Sequence, residues 1–267
     1  MAYATAADGC RLHYEVHGAP DRPALLIGYP WNDGMAQTMG ALTGDREMVD
    51  AAMAANRGLV EGFAEVYRVI HTDYPRGLPP TEGPLEGDLR AETVASDYLT
   101  IADAAGVGRF VALGYSWSAN AALQVATRAD RCAGVAIGGW PPLAGPYTEL
   151  LQGLEANLAA MDENDPQRGF MQMIANYYTS IVGKWDEETE VAAMTGPRLS
   201  FFGAEDDGVP ALGLPVPLAE LTRSRRADLE RLGWTVTEIA GHDHMTVTMD
   251  PALVIETVTN AFGDERW

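Results

Sequence analysis

The sequence predicts an α/β fold in which helices surround a mostly parallel sheet. Short apolar runs typical of buried strands alternate with helical patterns along most of the 267 residues, and such alternation joins parallel strands through helical crossovers. Residues 141–196 depart from it, because two helical apolar stripes follow each other there with no strand pattern between them. We therefore expect one core made of residues 1–140 and 197–267, with residues 141–196 inserted as a helical cap.

Charge and cysteine content narrow the class of protein. The formal net charge is -20, from 38 acidic and 18 basic residues, and a field of this sign repels phosphate backbones and anionic lipid. We therefore expect neither nucleic acid nor a membrane as partner. Cys10 and Cys132 lie in no metal-ligand spacing, and the first residues lack the pattern of a signal peptide. We expect free thiols, no metal or other cofactor, and a cytoplasmic protein. The oligomeric state stays open, a homo-oligomer included.

Seven segments are typical of strands. In the first, apolar and polar residues alternate, which predicts a half-exposed edge strand with His13 on its solvent side. The later segments are apolar runs or short alternating stretches typical of strands inside a sheet. In chain order the segments cover residues 9–17, 24–27, 67–70, 108–113, 132–140, 198–203 and 234–240.

Helical patterns fill the intervals between these strands. Residues 43–65 have apolar residues at helical spacing, but Gly58 and Gly62 interrupt them, so we expect one broken helix or two short ones. Other helices are expected over residues 94–105 and 218–232, and a last helix is expected to begin at the Asp-Pro pair of residues 250–251.

A serine stands at a sharp turn in the middle of the chain. An apolar strand leads into Gly-Tyr-Ser-Trp-Ser at residues 114–118, and a helical pattern rich in alanine follows. A strand that reverses into a helix so quickly lifts the central hydroxyl clear of the sheet, provided that the residues two places away are small. Gly114 meets this demand fully and Ser118 less well. Ser116 is therefore a candidate nucleophile, and the alternative is a surface serine in a loop.

Two later strand ends carry the partners that a nucleophilic serine requires. A neutral histidine can take the serine proton near pH 7, and an aspartate behind it fixes the tautomer and stabilises the imidazolium. Asp206 and His244 follow predicted strands and are the candidates. With Ser116, they give the chain order Ser, Asp, His.

Together these motifs resemble the α/β-hydrolase superfamily over nearly the whole chain. The resemblance implies an eight-stranded, mostly parallel sheet, a Ser-Asp-His triad and a variable cap over residues 141–196. It is carried by Leu26-Ile27-Gly28-Tyr29-Pro30, Asp73-x-x-Arg76-Gly77, Gly114-Tyr115-Ser116-Trp117-Ser118, Phe202-Gly203-Ala204-Glu205-Asp206 and Gly241-His242-Asp243-His244.

The resemblance also guides two choices within the triad. The family usually has Gly-x-x-Asp after the strand, which favours Asp206 over Asp207 as the acid. Its histidine usually precedes the proline of the last helix by seven residues, which favours His244 as the base. His242 is the alternative, since it directly follows a glycine, as the catalytic histidine of many members does.

The resemblance implies an oxyanion hole made by the amides of Tyr29 and Trp117. Where the family commonly has His-Gly, this chain has Ile-Gly at residues 27–28, so a helper side chain is lost while the amide remains. As substrate-pocket residues we single out Trp31, Trp140, Met173 and Tyr177. Simple packing is the alternative interpretation for residues of this kind.

The hypothesis with most support is a serine hydrolase that cleaves an ester, thioester or lactone of a small to medium apolar acyl compound through an acyl-enzyme. Aromatic and methionine residues in the expected cap favour an apolar substrate. One alternative is a non-hydrolytic enzyme of the same fold, such as a perhydrolase, lyase or cyclase. Another is a ligand-binding protein without catalysis, which the departures at Ile27 and Ser118 would favour.

Overall fold

A computed structural model describes residues 2–28, 36, 40, 44–72, 76, 81, 89–165, 167–209 and 214–263. Apolar runs form its strands, as the sequence patterns predict. The described strands are β1 (Ala2–Thr5), β2 (Arg11–His17), β3 (Ala24–Gly28), β4 (Arg68–Thr72), β5 (Phe110–Tyr115), β6 (Cys132–Gly138), β7 (Arg198–Gly203), β8 (Gly208–Val209), β9 (Leu214–Pro215) and β10 (Trp234–Ile239).

Eight strands form one sheet in the order β1-β2-β4-β3-β5-β6-β7-β10, and β8 pairs with β9 separately. The pairs β1 with β2 and β2 with β4 are antiparallel, whereas every pair from β4 to β10 is parallel. The prediction of an eight-stranded, mostly parallel sheet is confirmed. Because the central strands are parallel, their carboxyl ends meet at one edge of the sheet, where open α/β folds place their ligands.

Helices connect the strands. The described helices are α1 (Arg46–Ala64), α2 (Ala91–Ala104), α3 (Trp117–Ala126), α4 (Tyr147–Ala160), α5 (Arg168–Ile181), α6 (Glu187–Ala193), α7 (Leu218–Arg231), α8 (His244–Thr248) and α9 (Pro251–Phe262). Helices α4, α5 and α6 lie between β6 and β7, in the part of the chain where we expect a cap. The sequence patterns did not predict the short helices α6 and α8.

The sheet has an apolar core on each face. Successive residues of a strand point to opposite faces. In β3, Leu26 packs with residues of α2 and α3, while Leu25 and Ile27 pack with residues of α1 and α9. All five residues of β3 are buried, so the continuous apolar run reflects burial on both sides. The sheet is therefore the middle layer of three, with helices packed on both of its faces.

Residues 46–64 form one continuous helix, so the expectation of a broken helix or two short ones was wrong. Glycine weakens an isolated helix because it gains backbone freedom on unfolding. Here the absent side chains let α1 lie close to α9. A Cβ on Gly62 would lie 2.3 Å from Cδ1 of Ile255, and one on Gly58 would lie 3.4 Å from Cγ of Pro251. Tertiary packing therefore outweighs the local propensity.

His13 is buried, so its expected position on the solvent side was also wrong. Only 3% of the residue is exposed. The alternating pattern of residues 9–17 predicts an edge strand, but β1 pairs along β2 and is the outer strand. Tyr3 of β1 covers the histidine ring, with ring centroids 5.3 Å apart.

None of the described helices is long and apolar enough to cross a membrane.

Arg76, which follows β4 in the chain, forms an ion pair with helix α2. Arg76 donates to both carboxylate oxygens of Asp97, from Nε at 2.5 Å and from Nη2 at 2.6 Å, and Nη1 donates to Asp8. Arg76 and Asp97 are 7% and 1% exposed. The side chain of Asp8 is 55% exposed. Of these two carboxylates, that of Asp97 is buried and that of Asp8 is largely solvated.

We expect Asp97→Ala to lower the free energy of unfolding by about 3 kcal/mol, because it removes a bidentate, buried carboxylate partner from a buried guanidinium group. The matched variant Asp8→Ala removes the exposed partner of the same arginine and should cost less than ~1 kcal/mol. Urea unfolding of both variants measures the difference. Equal losses would show that burial does not distinguish the two pairs.

Candidate active site

Ser116 occupies the turn between β5 and α3 in a strained backbone conformation. Its φ is 57° and its ψ is -124°, and Leu143 is the other non-glycine residue with positive φ in the described part of the chain. Hydrogen bonds hold the turn, since the N–H of Ser116 donates to Gly138 O at 2.8 Å and its carbonyl accepts from Ala119 N at 3.0 Å. Such strain costs about 1–3 kcal/mol and is concentrated at functional sites.

Ser118 contributes its own hydrogen bonds to this turn. Its hydroxyl accepts from Tyr115 N at 2.9 Å and donates to Tyr115 O at 2.8 Å. The side chain thus folds onto the end of β5, which explains how serine fits where the family usually has glycine. At residue 114, by contrast, there is no room for a side chain, because a Cβ on Gly114 would lie 2.0 Å from Ser118 O.

His244 is paired with Asp206. Its Nδ1 lies 2.9 Å and 3.0 Å from the two carboxylate oxygens of Asp206, and the two residues are 3% and 0% exposed. Asp206 Oδ1 also accepts from Gly208 N at 3.0 Å. A carboxylate at Nδ1 selects the tautomer that carries its proton there, so that Nε2 is the basic nitrogen.

The alternative residues lie elsewhere. Nδ1 of the half-buried His242 lies 3.0 Å from Ala240 O, and Asp207 is exposed. The loop that contains Asp206 and the loop that contains His242 also contact each other through their backbones, since Glu205 N donates to His242 O at 3.0 Å. The structure therefore brings His244, and not His242, to the buried carboxylate.

A capping box sets the backbone of His244. The side chain of Asp243 accepts from Thr246 N at 2.8 Å, and Thr246 Oγ1 accepts from Asp243 N at 2.8 Å. These reciprocal bonds start the short helix α8 at His244. The pattern Asp243-x-x-Thr246 is visible in the sequence and could have predicted this helix. It holds the imidazole at the first position of α8.

Tyr115 connects the histidine loop with the serine turn. Its hydroxyl donates to His244 O at 2.9 Å, and the centroids of its ring and the imidazole are 5.1 Å apart. Since Tyr115 directly precedes Ser116, the serine turn and the histidine belong to the same part of the molecule. The carboxyl ends of β5, β7 and β10 all lead into this site.

The described residues include one of the two amides expected to form the oxyanion hole. Trp117 is the first residue of α3, and the first amides of a helix point out of its N-terminal end, where they can bind a negative charge. Gly28 ends β3 and pairs in register with Gly114. Tyr29, the other expected amide, and Trp31 lie outside the described residues.

The remaining expected pocket residues are buried. Trp140, after β6, and Met173 and Tyr177, on α5, are 3%, 2% and 0% exposed. Tyr177 lies beside the serine turn, because its ring centroid is 5.1 Å from that of Trp117. Trp140 stacks on Tyr178 with centroids 6.4 Å apart. These side chains pack where α4 and α5 approach the serine helix.

A partly buried chain of polar side chains, which the sequence patterns did not predict, lies at this contact, and we call it the Asn120 network. The Tyr177 hydroxyl donates to Asn120 Oδ1, Asn120 Nδ2 donates to the Tyr147 hydroxyl at 3.0 Å, and Tyr147 donates to Glu187 Oε1 at 3.1 Å. Asn120 is 0% exposed. A polar residue among the alanines of α3 was a signal that could have identified it.

Glu187, at the end of this network, is an unusual carboxyl group. Burial raises the pKa of Glu187 to about 7, although hydrogen bonds from Leu143 N–H and the Tyr147 hydroxyl oppose the shift. The bond from Leu143 N is 3.1 Å long. Arg225 of α7 also faces this region, where it pairs with the adjacent Glu188. Near neutral pH the carboxyl group therefore exchanges between its acid and carboxylate forms.

Solved structures share this architecture. An α/β hydrolase from a Medee basin deep-sea metagenome library matches with a TM-score of 0.71 and 13% identity, over 100% of this chain and 98% of its own. An esterase from Thermogutta terrifontis matches with a TM-score of 0.62 and 19% identity, over 97% and 96%. Epoxide hydrolase A from Mycobacterium thermoresistibile matches with a TM-score of 0.64 and 17% identity, over 100% and 99%.

No protein-family model and no curated protein matches the sequence. The structural similarity establishes that the chain has the α/β-hydrolase fold. It does not select a reaction, because this fold carries several chemistries. Within the described residues, no group of three or more His, Cys, Asp or Glu side chains is arranged to hold a metal ion.

Gly114→Ala should disrupt the serine turn, because the new Cβ would overlap the backbone oxygen of Ser118. We expect a loss of about 3 kcal/mol in unfolding free energy. Gly108→Ala is the matched control, since no atom lies within 4 Å of its added Cβ, and it should change stability by less than ~0.5 kcal/mol. Thermal or urea unfolding tests the pair. A tolerated Gly114→Ala would contradict the close approach at this turn.

Glu187 predicts a pH-dependent contribution to stability. Its pKa is about 7 in the folded protein against an ordinary value of 4.5, so the folded state binds a proton that the unfolded state has released. The contribution is fully present below about pH 4.5 and is lost as the pH rises through 7.

Glu187→Gln keeps an oxygen that can accept the hydrogen bonds from Leu143 N and the Tyr147 hydroxyl, but the glutamine cannot ionise. Relative to the wild type, we expect it to gain about 1–2 kcal/mol of unfolding free energy between pH 5 and pH 8, because a tenfold change in proton affinity corresponds to ~1.4 kcal/mol and solvent contact reduces the full value. Urea titrations at both pH values measure this difference. A constant difference would contradict the raised pKa.

Proposed function

We propose that the protein is a serine hydrolase that cleaves an ester, thioester or lactone bond of a small to medium apolar acyl compound. The observation that carries the proposal is the strained backbone of Ser116 at the turn from β5 to α3. A serine held in this way presents its hydroxyl above the helix N-terminus. The buried pair of His244 and Asp206 supplies the base and the acid that a nucleophilic serine needs.

In the first step, Ser116 Oγ attacks the carbonyl carbon of the substrate while its proton passes to His244 Nε2. Asp206 keeps the imidazole oriented and stabilises its positive charge. The tetrahedral intermediate collapses, the bond to the alcohol or thiol breaks, and the leaving group takes the proton from His244. The product of this step is an acyl-enzyme on Ser116.

In the second step, water attacks the acyl carbon and gives a proton to His244. Collapse of the second intermediate returns that proton to Ser116 Oγ and releases the carboxylic acid. The developing oxyanion would accept hydrogen bonds from the amides of Trp117 and Tyr29, and such donors are worth about 3–4 kcal/mol in the transition state. Both steps use the same groups, so the enzyme returns to its starting state.

The apolar nature of the substrate is inferred from the aromatic contacts beside the serine. Trp117 and Tyr177 pack against each other next to Ser116, and Met173 and Trp140 belong to the same apolar cluster. We propose that residues 141–196 act as a cap that contributes this surface to the acyl site. A small-molecule acyl compound is therefore the partner that the proposal assigns.

Labelling with a fluorophosphonate tests the proposal, because only an activated serine displaces fluoride from phosphorus at a useful rate. Mass spectrometry should find the adduct on Ser116 in the wild type. His244→Ala should abolish labelling and lower kcat for p-nitrophenyl esters by at least ~10³-fold. His242→Ala, the control, should behave as the wild type does.

Other outcomes would redirect the assignment. If labelling is lost in His242→Ala but kept in His244→Ala, the base is His242 and not His244. An unlabelled Ser116 in the wild type would overturn the hydrolase proposal and favour a ligand-binding protein. Labelled serine without hydrolysis of any ester in the panel would favour the non-hydrolytic chemistry of a perhydrolase, lyase or cyclase.

A further inference from the structure

The backbone and the side chain of Asn120 contact different parts of the fold. Its backbone N–H donates to Ser116 O at 3.3 Å, so the residue closes the first turn of the helix that begins at the serine. Its side chain extends to the helices inserted between β6 and β7, where it bonds Tyr147 of α4 and Tyr177 of α5. One fully buried residue therefore joins the serine turn to two helices of the insertion.

Tyr177 contacts the serine helix at a second point. Besides donating to Asn120, its ring packs on Trp117, the residue after Ser116. Two contacts on the same turn of α3 restrict rotation as well as translation of α5. The position of α5 beside the serine therefore depends on the Asn120 side chain.

Stability alone does not account for a polar group at this place. An apolar interface of the same shape can be about as stable, because a buried neutral hydrogen bond replaces one with water and contributes little net stability. Directional hydrogen bonds in a fully satisfied network contribute a defined geometry in addition. Both the oxygen and the nitrogen of the Asn120 amide are bonded here, which defines the positions of Tyr177 and Tyr147.

We propose that Asn120 is a positioning residue for the acyl group. It holds α4 and α5 against the first turn of α3, and in this way it controls where the acyl group lies. The inference rests on the proposed function, since it assumes that an acyl chain lies between Ser116 and the inserted helices. Asn120 itself does not touch the reacting atoms in this proposal. Losing its amide should therefore weaken recognition of long acyl chains and leave the reactivity of Ser116 intact.

The experiment compares labelling of Ser116 by two fluorophosphonates, one with a methyl chain and one with an octyl chain. In Asn120→Leu, we expect the octyl probe to label about tenfold more slowly, through weaker binding before the reaction, because a displaced α5 no longer fits the chain. The methyl probe should label within about twofold of the wild-type rate. Saturation kinetics separate the binding constant from the maximal rate.

Two further variants separate positioning from a general loss of stability. Tyr67→Phe removes a buried tyrosine hydrogen bond, to Gly263 O at 2.7 Å, outside the Asn120 network, and both probes should label it as they label the wild type. The triple variant Asn120→Leu, Tyr147→Phe and Tyr177→Phe removes the amide and both tyrosine hydroxyls together, while Glu187 keeps its hydrogen bond from Leu143 N. Relative to Asn120→Leu, it should recover stability in urea unfolding while octyl labelling stays slow.

The outcomes are distinct. Recovery of octyl labelling in the triple variant would show that Asn120 is only a structural contact. Equal slowing of both probes in Asn120→Leu, or no slowing, would also overturn the inference. If neither probe labels the wild type, the proposed function fails first, before the role of Asn120 is reached.

Discussion

The reversal of the chain at Ser116 is the constraint on which the site depends. A non-glycine residue at positive φ is retained only when its surroundings determine it. Here the surroundings come from three directions: the neighbouring strand through Gly138, the side chain of Ser118, and the first turn of α3. The strain is local, and the contacts that support it come from the end of β5, from β6 and from the first turn of α3.

Asp206 and His244 depend on a different kind of support. Asp206 lies in the loop after β7 and His244 lies at the start of α8, which follows β10, and the pairing of these two parallel strands brings the two residues together. Backbone bonds between the loops and the capping box of α8 then determine where the imidazole lies. The site is therefore assembled from regular elements whose ends meet, which is how rigid scaffolds position functional loops.

The sequence predicted the sheet and the serine turn well, because both depend on local patterns. A buried strand appears as an apolar run, and the turn at Ser116 requires a small residue at Gly114. The single helix α1 and the burial of His13 were not predictable in this way. The first depends on α9 packing against Gly62, nearly two hundred residues later, and the second on β1 covering β2.

Within the candidate site, too, features that depend on local sequence patterns were predictable and features that depend on distant contacts were not. The choice of His244 over His242 came from spacing in the family, and the geometry around Asp206 supports it independently. The Asn120 network was missed because Asn120, Tyr147 and Glu187 are distant in the chain. Their relationship exists only once α3, α4 and α6 have packed. A burial pattern can mark one such residue but not its partners.

The link through Tyr115 has a consequence for thermal motion. Its rigid ring joins the strand that ends at the serine to the backbone of His244, so a fluctuation of either loop is transmitted to the other. Correlated displacement leaves the separation of two segments steadier than the position of either one. In the proposed reaction a proton passes between Ser116 and His244, and such a transfer is steeply sensitive to distance. The contact through Tyr115 would therefore narrow the range of donor and acceptor geometries sampled over time.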